Sequence, residues 1–208
     1  MKILVASDKF KGSLTASEAC EAIAEGLRES CGGAHSIRCL PVADGGDGIA
    51  ETLLSALGGT WHETKVTGPL GNSVRAGYAM IDDDRTAVIE MAKASGLVLV
   101  GDESKDPWRA TTRGTGELIL HAIESGAREI LLGIGGSATN DGGTGMAEAL
   151  GYRFEDADGR ALAGLPLGLD GLARIVPPGN ADFPKVTVAC DVSNPLLGRN
   201  GCTRIYGP

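Results

Sequence analysis

The sequence predicts an α/β protein made of two α/β domains, on three observations. A strand–loop–helix rhythm repeats through residues 1–65. A turn-rich segment and an antiparallel hairpin signature break that rhythm near Val66. Glycines number 32 while aromatics make up 4% of the 208 residues, a balance that suits tight loops at strand ends better than an aromatic-filled β-sandwich. Hydrophobic residues, at 42%, suffice for a core in a chain of this length.

Ile3 to Ala6 is a short apolar run bounded by Ser7-Asp8, the mark of a buried strand. Thr15 and Glu18 have capping-box spacing, in which each side chain satisfies the other residue's backbone. They open a helix with Ala16, Cys20, Ile23 and Leu27 on one face and Glu18, Glu21 and Glu25 on another. Gly32-Gly33 ends it, and Ser36 to Val42 reads as a second strand. Asp44-Gly45-Gly46-Asp47-Gly48 then leads into a second amphipathic helix, with Ile49, Leu53 and Leu57 buried and Gly58-Gly59 as its stop. Strand, loop and helix repeated in this way imply parallel strands with crossover helices.

Beyond Val66, Thr67 to Asn72 is a turn. Ser73 to Met80 and Thr86 to Met91 flank Asp82-Asp83-Asp84 as an antiparallel hairpin. A domain boundary is placed here, giving residues 1–65 and 66–208. A helix is expected over Thr111 to Ser125. A buried strand, Glu129 to Ile134, leads into a glycine loop and a helix ending near Leu150-Gly151. Asp156 to Asn180 reads as irregular, and Lys185 to Ala189 as a last strand.

Net charge is −8, which disfavours nucleic acid and anionic membranes as partners, because an acidic face gains no counterion release from either. No apolar run approaches membrane length, and Met1 to Ala6 is too short for a signal peptide. The five cysteines (Cys20, Cys31, Cys39, Cys190, Cys202) are odd in number and lack CxxC spacing, which argues against a zinc site. Cys20 and Cys190 read as small core residues, and a reducing cytoplasm is the expected location.

Chemistry concentrates in loops at strand ends, where open α/β sheets place ligands. Gly133 to Gly143 (GIGGSATNDGG) lies between a strand and a helix. Its glycines, Gly135 and Gly136 foremost, let backbone N–H groups approach a phosphate or carboxylate beside Ser137, Thr139 and Asn140, helped by the helix N-terminus. Asp141 in the same loop can bind a metal or accept a proton. Walker A is excluded, because the chain has no Gly-Lys-Ser or Gly-Lys-Thr. A dinucleotide fingerprint fits better: Gly133, Gly135 and Ala138 match G-x-G-x-x-A, with Glu155 or Asp156 about twenty residues on. An NAD-dependent oxidoreductase is therefore the alternative, with a non-catalytic anion-binding module as the third reading.

Four further clusters stand out. Lys9 and Lys11, with Ser13 beside them, are cations at the end of the first strand for an anionic substrate. Asp44 and Asp47 can share Mg²⁺, although an Asp before a helix is also a common cap. Arg113, at the entry of a helix, can grip a carboxylate or phosphate. Asp191 follows a buried strand, a common place for a catalytic acid, and an Asp-Asn-Pro turn would be the plainer explanation. Glu90 to Gly96, with Glu90 and Lys93, ranks below these. The histidines (His35, His62, His121) lie outside every cluster. Charged glycine loops without a nucleophile–histidine pair suggest phosphoryl transfer, which needs positioning and charge neutralisation.

In this order, Asp8 to Ala16, Ala43 to Gly48, Thr67 to Gly71, Ile89 to Ala92, Thr112 to Ile119, Gly133 to Met146 and Cys190 to Gly198 closely resemble the bacterial type-1 glycerate kinase family. The resemblance implies transfer of the ATP γ-phosphate to D-glycerate with Mg²⁺, giving 2-phosphoglycerate, with 3-phosphoglycerate as the other product of enzymes so named. It implies a flavodoxin-like parallel-sheet domain split between both chain ends and an inserted mixed-sheet domain, with the active site in the cleft. The family is longer than this chain, so the flavodoxin-like domain is expected to lack its C-terminal part here and activity to be weak or absent. Within the motifs, Asp191, Asp141 and Lys9 are the expected catalytic residues. Lys11, Ser13, Arg113, Gly135, Gly136, Ser137, Thr139 and Asn140 are expected to bind substrate or phosphate, and Asp44 and Asp47 the metal. D-glycerate and ATP are the expected partners, and a homo-oligomer is compatible with the sequence.

Overall fold

The computed structural model describes residues 1–10, 13–30, 35–43, 46–101, 105–162, 166–179 and 182–207. It begins as the rhythm requires: β1 (Lys2–Val5), α1 (Ala16–Ser30), β2 (Ser36–Cys39) and α2 (Ile49–Leu57). β1 and β2 pair in parallel. The capping box forms: Glu18 Oε2 accepts the Thr15 N–H at 2.8 Å, and Thr15 Oγ1 accepts the Glu18 N–H at 3.2 Å. Ala16, Ala19, Cys20 and Ala24 are the buried stripe of α1.

The larger sheet has five strands in the order β3 (Thr60–Thr67), β4 (Ser73–Ile81), β5 (Thr86–Glu90), β6 (Glu129–Gly133) and β9 (Lys185–Ala189). β3, β4 and β5 run antiparallel; β5, β6 and β9 run parallel. The hairpin between β4 and β5 turns through Asp82, Asp83 and Asp84, all with φ between 53° and 59°. Aspartate tolerates that left-handed region because its short side chain can bond locally. β3 was not anticipated, since Thr60 to Thr67 lacks a continuous apolar run.

Alternation along the strands builds two cores. Tyr78, Met80, Ile89, Ile130 and Leu132 face α4 (Arg113–Glu124), whose Leu118, Ile119 and Ala122 are buried. Ala79, Ile81 and Val88 face the other way, onto Ile49 and Ala50 of α2. The central strands are thus covered on both faces, whereas β9 at the edge is largely exposed.

Between β5 and α4 lies α3 (Met91–Ser95); α5 (Thr144–Ala149) and α6 (Cys202–Tyr206) are short. The stretch expected to be irregular contains β8 (Arg174–Val176), which pairs with β7 (Arg153–Glu155) in a small antiparallel sheet. Cys190 is exposed, not the core residue expected, because the chain leaves β9 at an uncovered sheet edge; Cys20 is buried. No helix among the described residues is long and apolar enough to cross a membrane.

Candidate functional site

The parallel strands are in register at their carboxyl ends: Glu90 is opposite Gly133, and Gly133 is opposite Ala189. Three loops therefore leave the sheet at one level. The Lys9 and Asp47 loops meet them there.

The first cavity, about 570 Å³, is lined by charged and polar groups that include Asp8, Lys9, Ser13, Asp47, Glu51 and Lys93. Lys9 Nζ donates to the Asp47 carbonyl at 2.7 Å, so the strand-end lysine spans the opening between two loops. Lys93 Nζ donates to Glu51 Oε1 at 2.8 Å. Burial alone would pull the Lys93 ammonium below its ordinary value, but Glu51, Glu90 and Asp47 outweigh it and hold it above.

Glu90 is 1% exposed and reaches across to the start of α2, where its oxygens accept the N–H of Gly48 at 3.0 Å and of Ala50 at 2.8 Å. It supplies the cap that Gly48 cannot, having no side chain of its own. Burial raises its carboxyl above the ordinary range, partly offset by those two N–H groups and by Lys93. Glu90 and Lys93, ranked below the other clusters on sequence, stand at the start of α2 and in the wall of the first cavity. An acid closing an otherwise apolar strand was the available signal; Asp8 lay in the strand-end cluster with Lys9 but was given no role, and Glu51 had no signal.

Asp47 is the focal side chain. Its Oδ1 is buried and meets no hydrogen-bond partner among the described residues. Gly136, at φ 71°, lies against it: a Cβ there would stand 2.8 Å from that oxygen. Only glycine fits both the conformation and the approach. An unmatched buried carboxylate oxygen is costly unless something binds it. It suits Mg²⁺, which takes oxygen ligands from one or two carboxylates plus phosphates. Lys11 and Asp44, also expected at this site, lie outside the described residues.

The second cavity, about 550 Å³, opens on the far side of Gly136 and is lined by Gly135 to Asn140 and Asp191, with Leu70, Leu97 and Val100. Leu97 N–H donates to Gly136 O and Ala138 N–H to Ser95 O, both at 2.9 Å, which fixes the loop on the segment after α3. Among the described residues the N–H groups of Gly135, Gly136 and Ser137 meet no acceptor. Ser137 and Thr139 hydroxyls bond one another at 2.7 Å, and Asn140 Oδ1 accepts from Thr203 of α6 at 3.0 Å.

Two expected residues stand apart. Asp141 is 1% exposed and lines neither cavity. Its Oδ2 accepts from Thr112 N, Thr112 Oγ1 and Gly145 N at 2.8–3.1 Å, and its Oδ1 from Gly143 N at 3.0 Å. The first N–H groups of α5 are thereby occupied, so the helix N-terminus does not face an anion as expected. Arg113 also lines neither cavity. Glu117 at 3.1 Å and Glu148 at 3.9 Å hold its guanidinium over the α4–α5 contact.

The dinucleotide alternative loses its ribose acid. Glu155 sits in the β7–β8 sheet and is held by Arg174 and Arg153. Asp156 accepts the N–H groups of Asp158 and Arg160 in an exposed turn.

Fold and site define an α/β protein that gathers polar, glycine-rich loops at the carboxyl ends of its parallel strands. The model of the glycerate kinase family matches residues 3–208, and the chain belongs to that family. It is 50% identical over its whole length to a glycerate 2-kinase of Escherichia coli K12 and 51% to a glycerate kinase of Bacillus subtilis 168. It covers 55% of each, so the chain spans about half the length of these relatives. A crystal structure reported as a candidate glycerate kinase 2 from Salmonella typhimurium LT2 superposes with a TM-score of 0.87 at 45% identity, over all of this chain and 56% of that one.

Proposed function

We propose that this chain carries the substrate and phosphate loops of an ATP-dependent glycerate kinase that forms 2-phosphoglycerate. The carrying observation is the junction at Asp47 and Gly136, where a buried carboxylate oxygen, unpartnered among the described residues, stands against the glycine loop. Names of relatives support the substrate, and the E. coli name supports the 2-position.

On this reading Lys9, Lys93 and Ser13 receive glycerate in the first cavity, and the free N–H groups of Gly135 to Ser137 receive the triphosphate. Asp47, with Asp44, would hold Mg²⁺, which neutralises phosphate charge when bound. The glycerate hydroxyl oxygen attacks the γ-phosphorus as the bond to the β–γ bridging oxygen breaks. ADP leaves with that electron pair, and the hydroxyl proton passes to Asp8, the carboxylate beside Lys9 in the first cavity; Asp191 lines the second cavity instead. Asp141 holds the loop and does not react.

The proposed division into residues 1–65 and 66–208 can be tested by limited proteolysis. α2 lies on the large sheet, so cleavage near residue 45 instead of 65 would move the boundary. For the function, a coupled assay of the complete gene product should form ADP with ATP and D-glycerate but not L-glycerate, with NMR placing the phosphate on C2. No ADP with either enantiomer would end the reading. Fluorescence quenching by NADH but not by MgATP would favour the oxidoreductase.

A further inference from the structure

We infer that Glu90 is a positioning residue for the Asp47 carboxylate: with Lys9 it grips the peptide group that follows Asp47, and so sets the metal affinity of an oxygen to which it is not bonded. The inference rests on the Mg²⁺ reading of Asp47 above and goes beyond it, giving Glu90 a part in phosphoryl transfer besides its capping of α2.

The Asp47 carbonyl and the Gly48 N–H belong to one planar peptide unit and, in a trans peptide, point in opposite directions. Each end of that unit has a partner of matching charge. Lys9 Nζ donates to the carbonyl oxygen at 2.7 Å, and Glu90 Oε2 accepts the N–H at 3.0 Å. Both are charge-assisted bonds, the stronger kind. They hold the peptide plane against rotation, and that plane fixes the direction in which the Asp47 side chain leaves the backbone. Glu90 Oε1 adds an anchor on the Ala50 N–H at 2.8 Å. Glu90 is 1% exposed, so water does not compete for these bonds. On the other side, Gly136 comes so near Asp47 Oδ1 that a Cβ there would stand 2.8 Å away. Glu90 ends β5 opposite Gly133 of β6, the strand that leads to Gly136. One strand end therefore holds the backbone of Asp47, and its neighbour supplies the wall against its carboxylate. Capping α2 alone would be served by an uncharged side chain at the cap position; a buried carboxylate from another strand costs more desolvation.

The test is binding of Mn²⁺ alone to the complete gene product, followed by electron paramagnetic resonance, with Mn²⁺ standing for Mg²⁺ at a carboxylate site. Glu90→Gln keeps the shape but offers one acceptor where two N–H groups need one each. It should weaken Mn²⁺ binding about 10- to 100-fold and lower kcat by a similar factor, with KM for D-glycerate unchanged. Glu90→Asp, one methylene short but still charged, should lose less. In an Asp47→Asn background Glu90→Gln should lower kcat no further, because its effect passes through Asp47. Unchanged Mn²⁺ affinity in folded Glu90→Gln would overturn the inference and leave Glu90 a helix cap. A full additional loss of kcat in the Asp47→Asn background would overturn it too. Should Glu90→Gln not fold, Glu90→Asp decides: an affinity equal to that of the unaltered protein counts against the inference, and failure of both variants to fold would assign Glu90 to the fold and overturn it as well. Absence of Asp47-dependent Mn²⁺ binding in the unaltered protein would instead defeat the metal reading, and this inference with it.

Discussion

The loops around Asp47 and Asp141 look alike in composition, each an aspartate among glycines ahead of a helix, and they do opposite work. Asp141 takes four donors and fastens the α4 and α5 entries together. Asp47 leaves one oxygen unmatched among the described residues, beside the first cavity, while the helix after it is capped from a distance by Glu90. The cations follow suit: Lys9 and Lys93 line a cavity, whereas Arg113 is held by two glutamates. A saturated carboxylate is structure; an unsaturated one is available for chemistry.

The largest expected effect lies on the unsaturated side. Asp47→Asn should lower phosphoryl transfer by the complete gene product roughly a thousandfold, as loss of a positioned charge does. Its thermal unfolding midpoint should hardly move. A mild loss of turnover with a large fall in the midpoint would reverse the roles of the two loops.

Asp141→Asn should do the converse. It puts an amide where charged-acceptor bonds converge, and about 2–4 kcal/mol of unfolding free energy should be lost in urea titration. Unaltered stability would break the comparison.

Glu90 sharpens it through pH. Its carboxyl is raised from the ordinary 4.5, so its favourable contribution is complete below that pH and is lost as pH rises through the folded-state value. The stability of the unaltered chain relative to Glu90→Gln should therefore decline above pH 4.5 and then level off. A pH-independent difference in denaturation midpoint would show that burial does not govern this group.

The smallest effect is expected at Arg113. Its ion pairs are half-exposed, so Arg113→Ala should cost less than about 1 kcal/mol and leave MgATP affinity unchanged in titration. A tenfold loss of affinity would return it to the binding site.

Much of this fold was legible in the sequence because its signals are local. The Thr15–Glu18 cap, the Asp82–Asp84 hairpin and the apolar runs of β5 and β6 each need only neighbouring residues to be read. β3 was missed because it is recognised by its pairing with β4, not by its own pattern. The loops proposed to bear ligands were legible from glycine and charge at strand ends. Which aspartate has its oxygens fully bonded was not, because that depends on Thr112, Gly145 and Gly136, residues far apart in the chain. Motif composition told where the loops are, and hydrogen-bond partners told how each aspartate is held.

The alignment of Glu90, Gly133 and Ala189 across β5, β6 and β9 makes the sheet a ruler for the loops above it. Inserting or deleting one residue within β6 would lower or lift Gly136 by a strand step and invert the strand's inward and outward faces. The chain should therefore accept length variation at the opposite ends of these strands, such as the turn before Glu129, and resist it within them.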